Sequence, residues 1–281
     1  MTGPSLVFTT CGTGSDLDFI QVIVLAIVQG ITEFLPISSS GHLVLVPSIF
    51  GWTDQGLAFD VAVHFGSLIA VCVFFRSDIA ALLRGTHDIL TGDYRSVDAR
   101  MAWNLGLGTI PAAVAGLLLA GWISANLRDP RVVVWTLAGY GILMALADRY
   151  AASARNITDI GIREALFIGC AQALALIPGT SRSGVTITTG RLLGIARQDA
   201  ARFSFLLSAP VILLATLYEG VNLVTGDETV AWDTLGLAVL ISAIVAYISI
   251  EFFMRVVSRI GLLPFAIYRL LLAGVIVYVV I

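Results

Sequence analysis

Apolar runs of roughly twenty residues recur along the chain between short polar segments, but two of the runs stop half-way. The first spans residues 19–35 and is closed by Pro36; three serines follow, and a second short piece covers 43–50. Neither piece is long enough to cross a bilayer. Two half-length helices around a polar break predict a re-entrant hairpin, because irregular backbone at membrane depth is tolerated only against protein or a water-filled cavity. Three full-length spans are predicted next, at 57–75, 101–123 and 132–147. The pattern then restarts. Residues 164–177 are again short and again stopped by a proline, Pro178; the polar stretch GTSRSG and a short apolar piece at 185–195 follow. Three more spans are predicted at 203–224, 232–254 and 262–281.

Arginine placement orients this pattern. The loops at 76–100, 149–163 and 255–259 are Arg-rich and are predicted to be cytoplasmic, whereas 124–131 and the acidic 225–232 are predicted to face outside. Six spans satisfy this assignment, with the C-terminus outside. The first hairpin then enters from outside and the second from the cytoplasm. Gln29 and Ser38-Ser39-Ser40-Gly41 align with Gln172 and Ser181-Arg182-Ser183-Gly184 at one constant offset, 172 − 29 = 143. The predicted fold is therefore an all-α polytopic membrane protein with six transmembrane helices and two re-entrant helical hairpins in an inverted repeat. It forms a single integral membrane domain over 1–281, with halves at about 19–149 and 162–281. Folds of this kind place their site where half-helix ends meet.

Composition agrees and narrows the function. Of the 281 residues 58% are hydrophobic and 12% charged, with a mean hydropathy of +0.94; a soluble domain has about 25% charged residues. A net charge of −3 argues against nucleic-acid partners. All 16 basic residues are arginines, which excludes mechanisms that need a lysine. Cys11, Cys72 and Cys170 are far apart and unpatterned, so neither a disulfide nor a zinc site is expected. The first 18 residues lack a basic n-region and do not read as a cleaved signal peptide.

The candidate chemistry sits at the two breaks. Gln29 and Glu33 share one face of the first short helix, and an ionisable residue at membrane depth is costly and usually functional. Ser38, Ser39 and Ser40 open the next short helix, where serine caps by default and where free N–H groups suit an anion. His42 follows Ser39 by one turn, so the spacing allows their side chains to meet and His42 to act as general acid or base. At the second break, Arg182 is permanently charged and binds phosphate oxygens bidentately. In apolar surroundings it needs an anion, either a phosphate or Glu33. Ser181, Ser183 and Thr186 are additional donors. The remaining polar residues read as structural: His64 and Asp60 as a contact within the fold, Glu251 with Arg255 as an ion pair at a helix end, Arg191 as helix packing.

These motifs resemble the undecaprenyl-diphosphatase family, also called bacitracin-resistance proteins, over nearly the whole chain. QGITEFLPISSSGH and PGTSRSG match its two signatures, and FSFLLSAP and LPFAIYR match further family-typical stretches. The resemblance implies hydrolysis of undecaprenyl diphosphate to undecaprenyl phosphate and inorganic phosphate, which regenerates the lipid carrier for peptidoglycan and other wall polymers. It implies a bacterial inner-membrane hydrolase acting on the outer, periplasmic side with Mg2+ or Ca2+. By the same resemblance Gln29 and Glu33 occupy the acidic motif, with Glu33 the metal candidate; Ser39 and His42 form the serine–histidine pair; and Arg182 is the essential arginine. Ser181 and Thr186 also match site positions, and Ser38, Ser40, Ser183 and Gln29 join them as candidates for binding substrate. Gln29 departs from the glutamate often found at its position, which shifts the burden to Glu33.

Two chemistries stay open at this point: attack by Ser39 with His42 as proton acceptor, or attack by a water oriented by His42 and Glu33. The same inverted-repeat fold also suits a polyprenyl-phosphate transporter or flippase. The type-2 phosphatidic acid phosphatases share SGH and SR motifs but need an upstream lysine motif and a histidine after the SR, neither of which this chain has. Oligomeric state is left open, a homodimer included.

Overall fold

The computed structural model describes residues 18–52, 55–127, 129–152, 154–225 and 231–281. Eleven α-helices fill the described residues: α1 (Phe19–Thr32), α2 (Ser39–Phe50), α3 (Gly56–Phe74), α4 (Arg76–Leu90), α5 (Val97–Asn126), α6 (Pro130–Tyr150), α7 (Ile162–Ala173), α8 (Arg182–Leu192), α9 (Arg197–Thr225), α10 (Trp232–Ile260) and α11 (Leu263–Val280). Single 3₁₀ turns lie at Ile157–Asp159 and Leu174–Leu176, and the described residues form no strand. The N-terminal stretch with Cys11 and most of the acidic 225–232 loop lie outside the described residues. Cys72 and Cys170 are free thiols.

Among the described residues six helices are long and apolar enough to cross a membrane: α3, α5, α6, α9, α10 and α11. The shortest, α11 with 18 residues, rises about 27 Å, close to the roughly 30 Å hydrocarbon thickness. These are the six predicted spans. α1, α2, α7 and α8 have 14, 12, 12 and 11 residues and fall short. The Arg-rich segment read as a loop at 76–100 is instead largely helical, as α4. Its residues are mostly exposed, its Gly85 abuts the backbone of Asp98 and Ala99, and Asp78 pairs with Arg202 of α9.

Small residues allow the close crossings. α1 and α3 both press on α10: a Cβ at Gly30 would lie 2.9 Å from the Ala246 nitrogen and one at Gly66 3.1 Å from that of Ala243. There Ser242 donates to the Val63 carbonyl at 2.7 Å. On the other side α7 crosses α5 at Gly169 and Gly108. Without a hydrophobic driving force between helices in lipid, such close packing and interhelical hydrogen bonds carry association. We expect Gly169→Ala to lower the thermal midpoint in detergent, at a cost of about 1–3 kcal/mol for overpacking, because the added methyl meets the Gly108 backbone. Gly139→Ala, with nothing within 4 Å of the new methyl, should leave the midpoint unchanged.

The core runs between these layers as a chain of aromatic rings: Phe34 on Phe205 at 5.2 Å, Phe205 on Phe253 at 5.6 Å, and Phe253 on Phe265 at 5.2 Å. Two charged nodes fix one end of the bundle. Asp148 of α6 accepts from Arg197 through both oxygens, at 2.6 and 3.1 Å, and from the Leu262 amide at 2.9 Å, beside buried Arg191. Arg155 donates to Glu164 at 2.7 Å and to the Asp159 carbonyl at 2.7 Å. This hydrogen bond holds the Glu164 carboxyl below its usual range. Arg255 pairs with Glu251 one turn back, and Arg191 donates to the carbonyls of Ala151, Ala152 and Ile195.

Candidate active site

Each short helix pair is joined by a break with the same local build. Pro36 has no N–H to continue α1, and the chain re-enters a helix through Ser38, whose φ is +76°. Ser181 opens α8 with φ +70°. They are the only non-glycine residues with positive φ among those described. Such backbone costs of order 1–3 kcal/mol and persists where surroundings over-determine it, often at functional sites. Here each serine offsets part of the cost by capping: Ser38 Oγ accepts from the Gly41 amide at 3.4 Å and Ser181 Oγ from the Gly184 amide at 3.2 Å. A second hydroxyl lies beside each, Ser40 at 3.2 Å and Ser183 at 3.3 Å.

The two breaks touch. Ser183 donates to the Leu35 carbonyl at 3.1 Å, and the Gly179 amide donates to Ser40 Oγ at 3.5 Å. Gly179 has φ +85°, and a Cβ there would lie 2.7 Å from the Val133 carbonyl, so only glycine fits. Arg269 of α11, fully buried, donates to Pro36 of one break at 3.5 Å and to Gly179 of the other at 3.0 Å. Its remaining bonds go to Leu137 at 3.1 Å and Thr136 at 3.2 Å, all backbone carbonyls.

Glu33, at the end of α1 and 8% exposed, is the centre of the polar cluster. Arg182 Nη2 lies 3.0 Å from its Oε1; Ser39 Oγ and Gln29 Nε2 each donate to its Oε2 at 2.9 Å. Gln29, Glu33, Ser39 and Arg182 therefore meet; the sequence put Gln29 and Glu33 on one face and offered Glu33 as one of two partners for Arg182, but paired Ser39 with His42. Arg182 also lies over the Phe34 ring, 5.7 Å from its centroid, and donates to the Ser204 carbonyl at 3.4 Å. Its side chain is 12% exposed. Arg182 can thus neutralise an anion in this space while the Ser39 hydroxyl already has a proton acceptor.

Other predicted residues are placed differently. His42 makes no hydrogen bond to Ser39. Its Nδ1 lies 2.7 Å from the Ser38 carbonyl, which only accepts, so Nδ1 carries the hydrogen and Nε2 accepts from the Tyr268 hydroxyl at 2.7 Å. The hydroxyls of Ser38, Ser181, Ser183 and Thr186 serve the fold: Thr186 bonds the Arg182 carbonyl at 2.8 Å and the Ser204 hydroxyl at 2.6 Å. Ser40 is exposed and Ser39 half-buried. The residue left out of the predicted site is His64 of α3, whose Nε2 is 3.6 Å from Glu33 Oε2. Ser204, Tyr268 and Arg269 were also not singled out, although they fall in FSFLLSAP and LPFAIYR.

Fold and site together define a multi-pass helical membrane protein with a serine, a carboxylate and an arginine gathered at two helix breaks. The chain belongs to the family described as bacitracin resistance protein BacA, which matches residues 22–275. It is 52% identical over 262 residues to undecaprenyl-diphosphatase 2 of Stutzerimonas stutzeri, covering 92% of this chain and 97% of that protein. It is 50% identical over 262 residues to the undecaprenyl-diphosphatase of Nitrosococcus oceani, covering 93% and 99%, and 51% identical over 263 residues to that of Hahella chejuensis, covering 93% and 98%.

Proposed function

We propose that this protein hydrolyses undecaprenyl diphosphate to undecaprenyl phosphate and inorganic phosphate, returning the lipid carrier to wall-polymer synthesis. The names of its relatives support the substrate, and the contact of Ser39 and Arg182 with one carboxylate carries the chemistry. Transport alone has no use for a hydroxyl hydrogen-bonded to a carboxylate beside an arginine.

In this reading Arg182 and the amides opening α2 and α8 hold the diphosphate, charge stabilisation being the main lever in phosphoryl transfer. Ser39 Oγ forms a bond to the terminal phosphorus as the P–O bond of the anhydride breaks, and undecaprenyl phosphate leaves. The serine proton passes to Glu33 Oε2, the atom it already faces. Water then cleaves the phosphoserine and releases phosphate. Glu33 rather than His42 is the base the geometry offers, since His42 Nε2 is engaged by Tyr268. Of the substrate-binding positions, Ser39 and Ser40 face the open side and Ser38, Ser181, Ser183 and Thr186 hold the breaks in shape.

The residues fit Mg2+ or Ca2+. Gln29 Oε1 is buried without a hydrogen-bond partner beside Glu33, so two hard oxygen donors are at hand. Mg2+ usually takes one or two protein oxygens and completes its shell with water and substrate phosphates. Bound there, the ion would neutralise charge on the diphosphate.

An inverted repeat suits this arrangement. Taken in chain order from the two aligned breaks, α1 corresponds to α7, α3 to α9, α5 to α10 and α6 to α11. The packing is paired accordingly: α1 lies on α10 as α7 lies on α5, α3 meets α9, and α6 meets α11. We read the two break units as re-entrant hairpins of one membrane domain, in the bacterial inner membrane, with the Arg-rich segments cytoplasmic and the site facing the periplasm.

The test is phosphate release by purified protein supplied with undecaprenyl diphosphate and Mg2+ or Ca2+. Wild type should release phosphate, and Ser39→Ala should fall by at least about a thousandfold. A phosphoserine trapped at residue 39 is the expected intermediate. Full activity in Ser39→Ala would replace it with direct attack by water, and no release by wild type would sink the reading.

A further inference from the structure

The reaction above makes no use of His64. Its Nδ1 lies 2.7 Å from the carbonyl oxygen of Asp60, one turn back on α3. A carbonyl only accepts, so Nδ1 bears the hydrogen and the neutral ring presents the Nε2 lone pair. That lone pair faces Glu33 Oε2 across 3.6 Å. Both atoms are acceptors, so something positive belongs between them. A third donor stands beside them: the Gln29 amide is anchored through Nε2 to the same Glu33 oxygen, is fully buried, and leaves Oε1 without a partner. An imidazole oriented by a carbonyl through one nitrogen, with the other free, is the usual arrangement around metal-bound histidine. The His64 side chain is 37% exposed, so its ring is not sealed inside the helix packing.

We propose that His64 Nε2 is a ligand, with Glu33 and Gln29 Oε1, of one divalent cation held by the protein before substrate binds. This deepens the reading of the site as a metal-assisted diphosphatase. The nitrogen donor gives it a consequence that oxygen ligands alone lack: Mn2+ or Zn2+ binds more tightly than Mg2+. The competing occupant of the same gap is a proton, making His64 an imidazolium paired with Glu33.

The experiment is a Mn2+ titration of the purified full-length protein without lipid substrate, read by the loss of free-ion EPR signal. Wild type should bind one Mn2+ per chain. His64→Ala should weaken Mn2+ at least about tenfold, the scale on which metal sites respond to loss of supporting contacts, while Mg2+, measured by competition in the variant, should change less than about threefold because imidazole contributes little to a hard cation. Thermal midpoints of the metal-free proteins check folding, and His64→Gln serves in place of His64→Ala should the latter melt early. Mn2+ binding by the folded variant equal to wild type, or no binding by wild type, would overturn the proposal in favour of the ion pair. No substrate is present, so phosphate release stands or falls separately.

Discussion

Arg182→Met is expected to abolish turnover, with kcat/KM down by about three orders of magnitude or more, and Arg182→Lys to recover little of it. Removing one preorganised charge-stabilising donor costs about 10²–10³ in rate, and Arg182 supplies more than one, because a guanidinium grips phosphate with two parallel N–H bonds. Lysine keeps the charge but loses the fork and the stacking on Phe34. Stability should fall as well. Glu33 is buried, and removing its cation leaves an uncompensated charge, an error that costs about 3–5 kcal/mol in buried pairs. The two losses can be separated. Adding Glu33→Gln to Arg182→Met removes the stranded charge, so the double variant should recover much of the thermal midpoint and none of the activity. Steady-state phosphate release and detergent melts decide the matter; Arg182→Met within fivefold of wild-type kcat/KM would refute a phosphate-binding role.

What the sequence discloses and what it hides divide along physical lines. Length of apolar run is a one-dimensional property, so all six spans and the four short helices could be read directly, and Pro36 and Pro178 mark where α1 and α7 must stop. α4 escaped because a surface helix lying against α5, with one ion pair to α9, has no long apolar run to announce it. The Glu33–Arg182 contact could be anticipated because each is an ionisable group that low dielectric forbids to stand alone. His42 shows the limit of spacing. Residues three apart share a helix face, but the ring bonds the carbonyl four residues back, and its other nitrogen meets Tyr268, 226 residues away in sequence. His64 was hidden for the same reason. It reaches Glu33 from another helix, and no local pattern encodes that meeting.

Arg269→Met is expected to lower the thermal midpoint sharply and to take activity down with it. Arg269 is the fully buried cation that touches both breaks, and its donors end on four carbonyls with no carboxylate among them. Pro36 and Gly179 stand at the offset by which the two break motifs align, 179 − 36 = 143. One guanidinium thus bonds a carbonyl of each break and ties the two together. An unsatisfied buried acceptor costs about 1–3 kcal/mol, and four released together, even with partial relaxation, amount to about 4 kcal/mol or more. That is a large part of the about 5–15 kcal/mol by which folded domains exceed unfolded ones. Lysine, with one compact ammonium in place of a planar fork, reaches fewer of these oxygens, so Arg269→Lys should melt between wild type and Arg269→Met. The loss of activity follows from position. Glu33 and Ser39 belong to one break and Arg182 to the other, and a displacement near 1 Å is enough to cost about a hundredfold in a positioned reaction. Detergent melts and phosphate release on the same preparations would check this. An Arg269→Met protein with wild-type midpoint and wild-type turnover would mean that Ser183, Ser40 and Thr136 hold the breaks in register without it.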